Sequence, residues 1–252
     1  MKSKYLSFLA FSICLIYGHQ PVNAQFVTTS PTQITYNGAT NPVDFEFRQD
    51  GVLVAKGNYG VGTLGSSDQG AGTRLLWFPK LAAFRAGGVS GTQWDSANIG
   101  GYSVAFGLDN TASGLYSAAS GYGNSAIGSS SVAMGLNNTT TGNYSVALGM
   151  GNFAYGSGSV AIGGGSKSYA TYSFSSGITE ADAYASVTFG RYNVGGGTGG
   201  SWVTTDPLFE LGNGLSSSAT SNAFVVYKDG TAAFQGTVTV GAGGDVPMFT
   251  GN

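Results

Sequence analysis

Two carboxylates, located where a repeat array loses its regularity, are the best candidates for acid–base catalysis in this sequence. Glu180 and Asp182 are two residues apart, so on a strand they would face the same side. A pair of carboxylates is what glycoside hydrolysis requires. Carboxylates two residues apart also occur on any solvated strand edge, and this interpretation is favoured because acidic side chains usually lie on surfaces.

Other charged and polar residues permit weaker hypotheses. Asp109 and Asn110 could bind calcium, but the Asp-dense nonapeptide pattern of calcium-binding β-rolls is absent. Arg74, Lys80 and Arg85 could bind an acidic ligand. We expect instead that they are exposed charges on the strands that cap the fold, where charge discourages edge-to-edge pairing.

Three tyrosines recur at every second repeat. Tyr116, Tyr144 and Tyr172 could form an aromatic ladder that stacks on sugars. They could equally fill an interface between chains, and we favour this because large aromatic side chains are enriched at interfaces.

The chemistry of cysteine and histidine is excluded from the mature chain. Residues 1–24 have the basic start, apolar run and small residues before the cut that are typical of a secretory signal peptide. Cys14 and His19, the only cysteine and histidine, lie within it. We therefore predict no disulfide, no thiolate or imidazole catalysis, no metal site built on these residues, and no cofactor.

Composition restricts the partners and the fold class. Without residues 1–24 the chain has eight basic and twelve acidic residues, a net charge of −4, and no basic patch. Nucleic acid and anionic membranes are therefore not expected as partners, and no segment after the signal peptide is long enough for a transmembrane helix. With 43 glycines and 9% charged residues, the sequence favours short strands and tight turns. The prediction is a secreted or cell-surface, all-β protein.

A fourteen-residue repeat runs through the middle of the chain. Each unit opens with serine and closes a pentad with glycine. The six units begin at Ser103, Ser117, Ser131, Ser145, Ser159 and Ser173. A fixed period of this kind predicts a solenoid, in which each coil buries its surface against its neighbours.

The repeat also predicts the layout of one coil. With the opening serine as position 1, strands are expected near positions 1–4 and 9–12, and turns at the glycines of positions 5 and 12 and the asparagine of position 8. Positions 1 and 3 are small and share one face, whereas positions 2 and 4 are larger, apolar and share the other. Only two to four side chains per coil are expected to point inward.

Four regions follow from these patterns. They are a signal peptide (1–24), an N-terminal β-hairpin and cap region (25–97), the repeats (98–190) and a C-terminal β module (191–252). Asp-Gly turns predict one hairpin around residues 44–56 and another around 222–234, and a further strand is expected at 237–240.

The motif Ser-Val-Ala-x-Gly at this period resembles the head repeat of trimeric autotransporter adhesins, the YadA-like heads. The resemblance covers about residues 98–190, and residues 143–149 (NYSVALG) are its closest copy. It implies a left-handed parallel β-roll, packing of three chains into a homotrimer, and binding to host matrix proteins such as collagen. Neither the heptad-patterned stalk nor the membrane-anchor strands of that family are found in this sequence.

The function predicted from the resemblance is multivalent, non-enzymatic binding to an extracellular matrix protein or a polysaccharide. The expected ligand contacts are the small residues at positions 1 and 3, taken to face outward: Ser131, Ala133, Ser145, Ala147, Ser159 and Ala161. A mechanical fibre or surface component and a glycan-cleaving enzyme on a β-solenoid stay open as alternatives.

Overall fold

The computed structural model of the protein describes residues 45–47 and 53–236. The chain divides into two compact units, Met1–Lys56 and Gly57–Asn252. The predicted boundaries at 97/98 and 190/191 both lie within the second unit. The signal peptide, the first Asp-Gly turn and the strand expected at 237–240 lie outside the described residues.

The first unit contains a two-stranded hairpin. Strand β1 (Phe45–Phe47) pairs antiparallel with β2 (Leu53–Ala55), and Glu46 lies opposite Val54. The strands are those that the sequence predicts on either side of its first Asp-Gly.

A twelve-stranded sheet runs through the described part of the second unit. Its order is that of the chain, with every second strand of the repeats left out. The strands are β3 (Gly72–Phe78), β4 (Ala83–Val89), β5 (Val104–Leu108), β7 (Ala118–Tyr122), β9 (Val132–Leu136), β11 (Val146–Met150), β13 (Val160–Gly164), β15 (Phe174–Ile178), β17 (Val187–Arg191), β18 (Pro207–Asn213), β19 (Asn222–Tyr227) and β20 (Ala232–Phe234).

The strands left out form a second, six-stranded sheet. They are two residues long and pair in parallel, each with its equivalent in the next coil. They are β6 (Thr111–Ala112), β8 (Ser125–Ala126), β10 (Thr139–Thr140), β12 (Phe153–Ala154), β14 (Lys167–Ser168) and β16 (Glu180–Ala181). One coil thus contributes one strand to each sheet, and the all-β solenoid predicted from the repeat is confirmed.

Register between coils follows the sequence period. Val146 pairs with Val132 on one side and with Val160 on the other, so equivalent residues stack in columns along the roll. Four positions of each coil, 1, 3, 8 and 10, point into the narrow space between the sheets. Because these are serine, alanine, asparagine and alanine in most coils, the two sheets can lie close together.

The turns differ in detail from those predicted. The left-handed backbone falls on position 7, as at Asp109 (φ 55°) and Asn137 (φ 54°), and on position 14, as at Tyr116 (φ 59°). The position-8 asparagine lies between the two strands of its coil, as predicted, for example Asn110 between β5 and β6. Its side chain is buried in the roll, and the positive φ falls on the residue before it. Glycine at position 5 is required twice over: Gly121 has φ 114°, and a Cβ there would collide with the carbonyl of Gly135.

Each end of the roll continues into antiparallel strands. At one end β3 pairs antiparallel with β4, which is parallel to the first repeat strand, β5. At the other end β18 is parallel to β17, and β19 and β20 follow as the predicted hairpin around Gly230. Three short 3-10 helices complete the described chain: Ser66–Asp68, Pro79–Leu81 and Ser96–Asn98. Among the described residues no helix has the length and apolar character needed to cross a membrane.

Candidate interaction surface

The small residues expected to contact a ligand lie inside the roll. All six are fully buried within a single chain: Ser131, Ala133, Ser145, Ala147, Ser159 and Ala161. The prediction that they face outward is wrong. Alternation along a strand reveals two faces but not which one is enclosed, and the space between the sheets accepts only small side chains. These residues fill the space between the two sheets, and the Ser145 hydroxyl also fixes the corner that precedes it by donating to the carbonyl of Gly142 at 2.6 Å.

A ladder of asparagines crosses the same interior. The backbone N–H and the Nδ2 of Asn124 both donate to Oδ1 of Asn110, each at 2.9 Å. Asn138 and Asn152 repeat this arrangement, and the backbone N–H of Ser166 donates to Oδ1 of Asn152 at 2.9 Å. Because buried amides are costly unless they are hydrogen-bonded, the ladder fixes the register of neighbouring coils.

The outer face of the twelve-stranded sheet is apolar. It carries positions 2 and 4 of each coil, which include Val146 and Leu148 in the central coil and Met134, 40% exposed, before it. From β4 to β20 no residue in these two columns is charged. A contiguous exposed apolar surface of this kind marks an association site.

The three recurring tyrosines lie at the corners of the coils. Tyr116, Tyr144 and Tyr172 are all more than half exposed. Tyr116 stacks on Tyr102, with ring centroids 5.1 Å apart, and Tyr102 stacks in turn on Tyr59 at 5.1 Å. Their predicted place in an interface between chains stays a prediction.

The outer face of the six-stranded sheet is aromatic and charged at one end. The rings of Tyr155 and Tyr169 are parallel, with centroids 5.2 Å apart, and both are about 40% exposed. Beside them Lys167 Nζ lies 2.6 Å from Glu180 Oε1. The hydrogen bond to Glu180 raises the pKa of Lys167, so the ammonium stays charged through the neutral range. Sequence reasoning missed the tyrosine pair because it followed the tyrosines at position 14 and not those at position 11.

The two acids considered for catalysis have separate partners. Glu180 is ion-paired with Lys167, whereas Oδ2 of Asp182 accepts the backbone N–H of Gly196 at 3.1 Å. At the residues considered for calcium, Oδ1 of Asn110 accepts two hydrogen bonds from Asn124. Among the described residues there is no group of three or more acidic, histidine or cysteine side chains that could hold a metal ion.

The charged cap residues do not all lie on the surface. Arg85 is fully buried, so the expectation of an exposed charge is wrong there. Its guanidinium donates to the carbonyls of Phe84, Ser103 and Ala112, each at 2.9 Å, and to the Ser103 hydroxyl. Burial lowers the pKa of Arg85 to about 10.

An open depression of about 470 Å³ lies beside the C-terminal strands. Asp206 and Glu210 line it, together with the backbone of Gly195. Both carboxylates are already engaged by the protein: Thr198 donates its N–H to Asp206 at 2.7 Å, and Asn222 donates to Glu210 at 2.6 Å. The two carboxylates that line the depression thus already have hydrogen-bond partners within the protein.

Comparison with known families agrees with this geometry. A family model, described as the YadA head domain repeat in two copies, matches residues 99–124, 126–152 and 154–177. No curated protein matches the chain significantly. The matched residues are those whose strands stack in parallel with a fourteen-residue period, and the family match points to an adhesin-like function. Residues 99–177 therefore form a YadA-like head domain.

Proposed function

We propose that this protein is a secreted or surface-exposed adhesin head that assembles as a homotrimer. It would bind an extracellular matrix protein or a polysaccharide without enzymatic activity. The observation that carries the proposal is the difference in chemical character between the two outer faces of the roll. On one face the columns at positions 2 and 4 are uncharged and apolar apart from Ser120 and Ser176, and the other face carries exposed aromatic and charged groups.

The apolar face supports the trimer. Closed cyclic assemblies bury a repeated surface on every copy, and the columns at positions 2 and 4 supply such a surface in each coil. Val146 and Leu148 are partly exposed in the single chain although they belong to its most apolar stripe. Packing three copies along this stripe would remove it from water.

The six-stranded sheet would then face outward on every copy. Tyr155 and Tyr169 provide flat apolar rings, and Lys167 provides a charge beside them. Aromatic rings flanked by polar groups are typical of surfaces that bind sugars and protein side chains. Three such surfaces on one rigid trimer would gain affinity for a repetitive partner through multivalency.

The first experiment measures the mass of the protein in solution by light scattering after size exclusion, followed by binding to immobilised collagen, fibronectin and polymeric glycans. We expect a trimer, binding to at least one of these partners, and a loss of about tenfold or more in apparent affinity for Tyr155→Ala/Tyr169→Ala, because avidity multiplies the loss at each copy. Tyr144→Ala, an exposed corner residue, is the matched control, and its mass in solution checks that it still forms the same assembly as the wild type.

A monomeric mass would overturn the trimer. A trimer that binds none of the partners would favour the mechanical alternative, which the asparagine ladder supports because it stiffens the roll. Equal losses for the double variant and for Tyr144→Ala would move the binding surface to the corners of the coils.

A further inference from the structure

The apolar outer face does not end with the head repeats. Strand β18 continues the sheet in register, with Phe209 opposite Val187 and Leu211 opposite Phe189. The next two strands run antiparallel, yet their cross-strand partners keep the same face: Phe224 lies opposite Leu211, and Phe234 opposite Phe224.

A column of phenylalanine rings connects these strands to the repeats. The ring centroids of Phe189 and Phe209 are 6.0 Å apart, those of Phe209 and Phe224 are 6.0 Å apart, and those of Phe224 and Phe234 are 4.4 Å apart. Phe174 extends the same column into β15 at 5.5 Å from Phe189. The column therefore crosses from the matched repeats into strands that the family model does not cover.

This surface is exposed, whereas the opposite face of β18 and β19 is buried at its centre. Leu211 is 41% and Phe234 is 58% exposed. Glu210, which follows Phe209 on β18, and its cross-strand partner Val225 on β19 point to the other side and are buried. The larger apolar side chains of these strands therefore lie on the outer face, as they do along the roll.

We propose that the self-association surface extends past the head repeats over β18, β19 and β20, and that it is covered by the same strands of the other copies of this chain. The inference rests on the trimer of the proposed function. Because β18, β19 and β20 belong to the same sheet as the repeats and carry the same uncharged columns, three-fold packing of the repeats brings these strands together as well. The C-terminal strands would then be part of the trimer and not a free appendage.

Two neighbouring alanines give a matched test. Ala232 and Ala233 are both exposed on β20, but Ala232 shares the face of Val226 and Phe224, whereas Ala233 lies on the opposite face with Val225. The test compares Ala232→Asp with Ala233→Asp in the full chain, measuring the trimer dissociation constant from the concentration dependence of the mass. Urea unfolding midpoints check that both variants fold.

We expect Ala232→Asp to raise the dissociation constant by about tenfold or more, because it places a carboxylate in an apolar interface, while Ala233→Asp leaves it unchanged. If the wild-type chain is a trimer and neither variant, or both equally, changes the constant, the surface ends with the repeats and the inference is wrong. If the wild-type chain is a monomer, the trimer of the proposed function fails first. The wild-type mass therefore separates the two failures.

A second measurement uses a thiol label at the same positions. Cys14 is the only native cysteine, so in a Cys14→Ser background the substitutions Ala232→Cys and Ala233→Cys each give a single site for pyrene. Excimer emission from the label at residue 232 alone is the expected result. Excimer emission at neither residue of a trimeric chain would overturn the inference.

Discussion

At each end of the roll a buried charged side chain occupies the same inward position of the coil, and the two charges are opposite in sign. Arg85 of β4 lies opposite Ala105, and Glu210 of β18 lies opposite Thr188, so both occupy the column that is alanine in the central coils. Both are fully buried, or nearly so. Within the repeats a neighbouring coil satisfies the polar groups on each side. At the ends a charged side chain does so, Arg85 mainly for backbone carbonyls and Glu210 for the side-chain amides of Asn193 and Asn222 and one backbone N–H.

The chemistry of each terminal residue matches the groups that it meets. Arginine has donors only, and Arg85 donates to the carbonyls of Ser103 and Ala112. An ionised carboxylate accepts only, and Glu210 accepts from Asn193 at 2.8 Å and from the backbone N–H of Gly195 at 3.1 Å. The comparison teaches that a solenoid of small residues can be closed by one charged side chain at each end, provided that its polarity suits the orphaned groups.

The largest effect is expected at the N-terminal end. Arg85→Ala removes four hydrogen bonds and leaves a void beside Ser103 and Ala112, so the free energy of unfolding should fall by about 3 kcal/mol. Urea unfolding of the full chain measures it. The control is Arg74→Ala on β3, a partly buried arginine that among the described residues donates only to the carbonyls of Asp68 and Gly70, with an expected loss of about 1 kcal/mol. Equal losses at the two arginines would show that Arg85 does not close the roll.

A smaller loss is expected at the C-terminal end. Glu210→Gln keeps the shape of the side chain but turns one acceptor into a donor that faces Asn193, Asn222 or Gly195, so we expect a loss of about 1–2 kcal/mol. The same urea titration applies. A stability equal to or above that of the wild type would mean that the charge is not needed to satisfy this end.

The smallest effect is expected between the ends, on the surface of the six-stranded sheet. The side chains of Lys167 and Glu180 are 37% and 49% exposed, so Lys167→Ala should cost less than about 0.5 kcal/mol at neutral pH. The pKa of Lys167 is raised by its hydrogen bond to Glu180. The contribution of the pair is therefore complete below the ordinary lysine pKa and is lost as the pH rises through the raised value.

The measurement is the difference in unfolding free energy between wild type and Lys167→Ala. It is taken at neutral pH and again at about pH 11, which lies above the ordinary lysine pKa. We expect the difference to shrink toward zero at the higher pH. A difference that grows there would contradict the ion pair as its source.

The strands and their register could be predicted because the period is in the sequence itself. Serine and glycine at fixed positions predicted where each strand lies, and the hairpin around Gly230 followed from Asp-Gly. The direction of the faces could not be predicted. Hydrophobicity favours Val146 and Leu148 as core and Ser145 and Ala147 as surface, yet the distance between the sheets, which alternation does not encode, reverses this order.

The terminal charges were missed for a related reason. In isolation Arg85 and Glu210 look like surface residues, because charged side chains are rarely buried. Their burial follows from where the stacking of coils stops, which is a property of the whole array. A signal was present all the same: Phe84 and Gly87, and likewise Phe209 and Gly212, stand at the spacing of positions 2 and 5 of the repeat.

The register of identical residues from coil to coil has a consequence for the evolution of the molecule. Since Val132, Val146 and Val160 sit in equivalent surroundings, a coil can be duplicated or deleted in steps of fourteen codons without redesigning its neighbours. Each step changes the length of the head by about 4.8 Å, the spacing between strands, while the two charged closures stay where they are. The reach of such a protein can therefore be adjusted by the number of its coils alone.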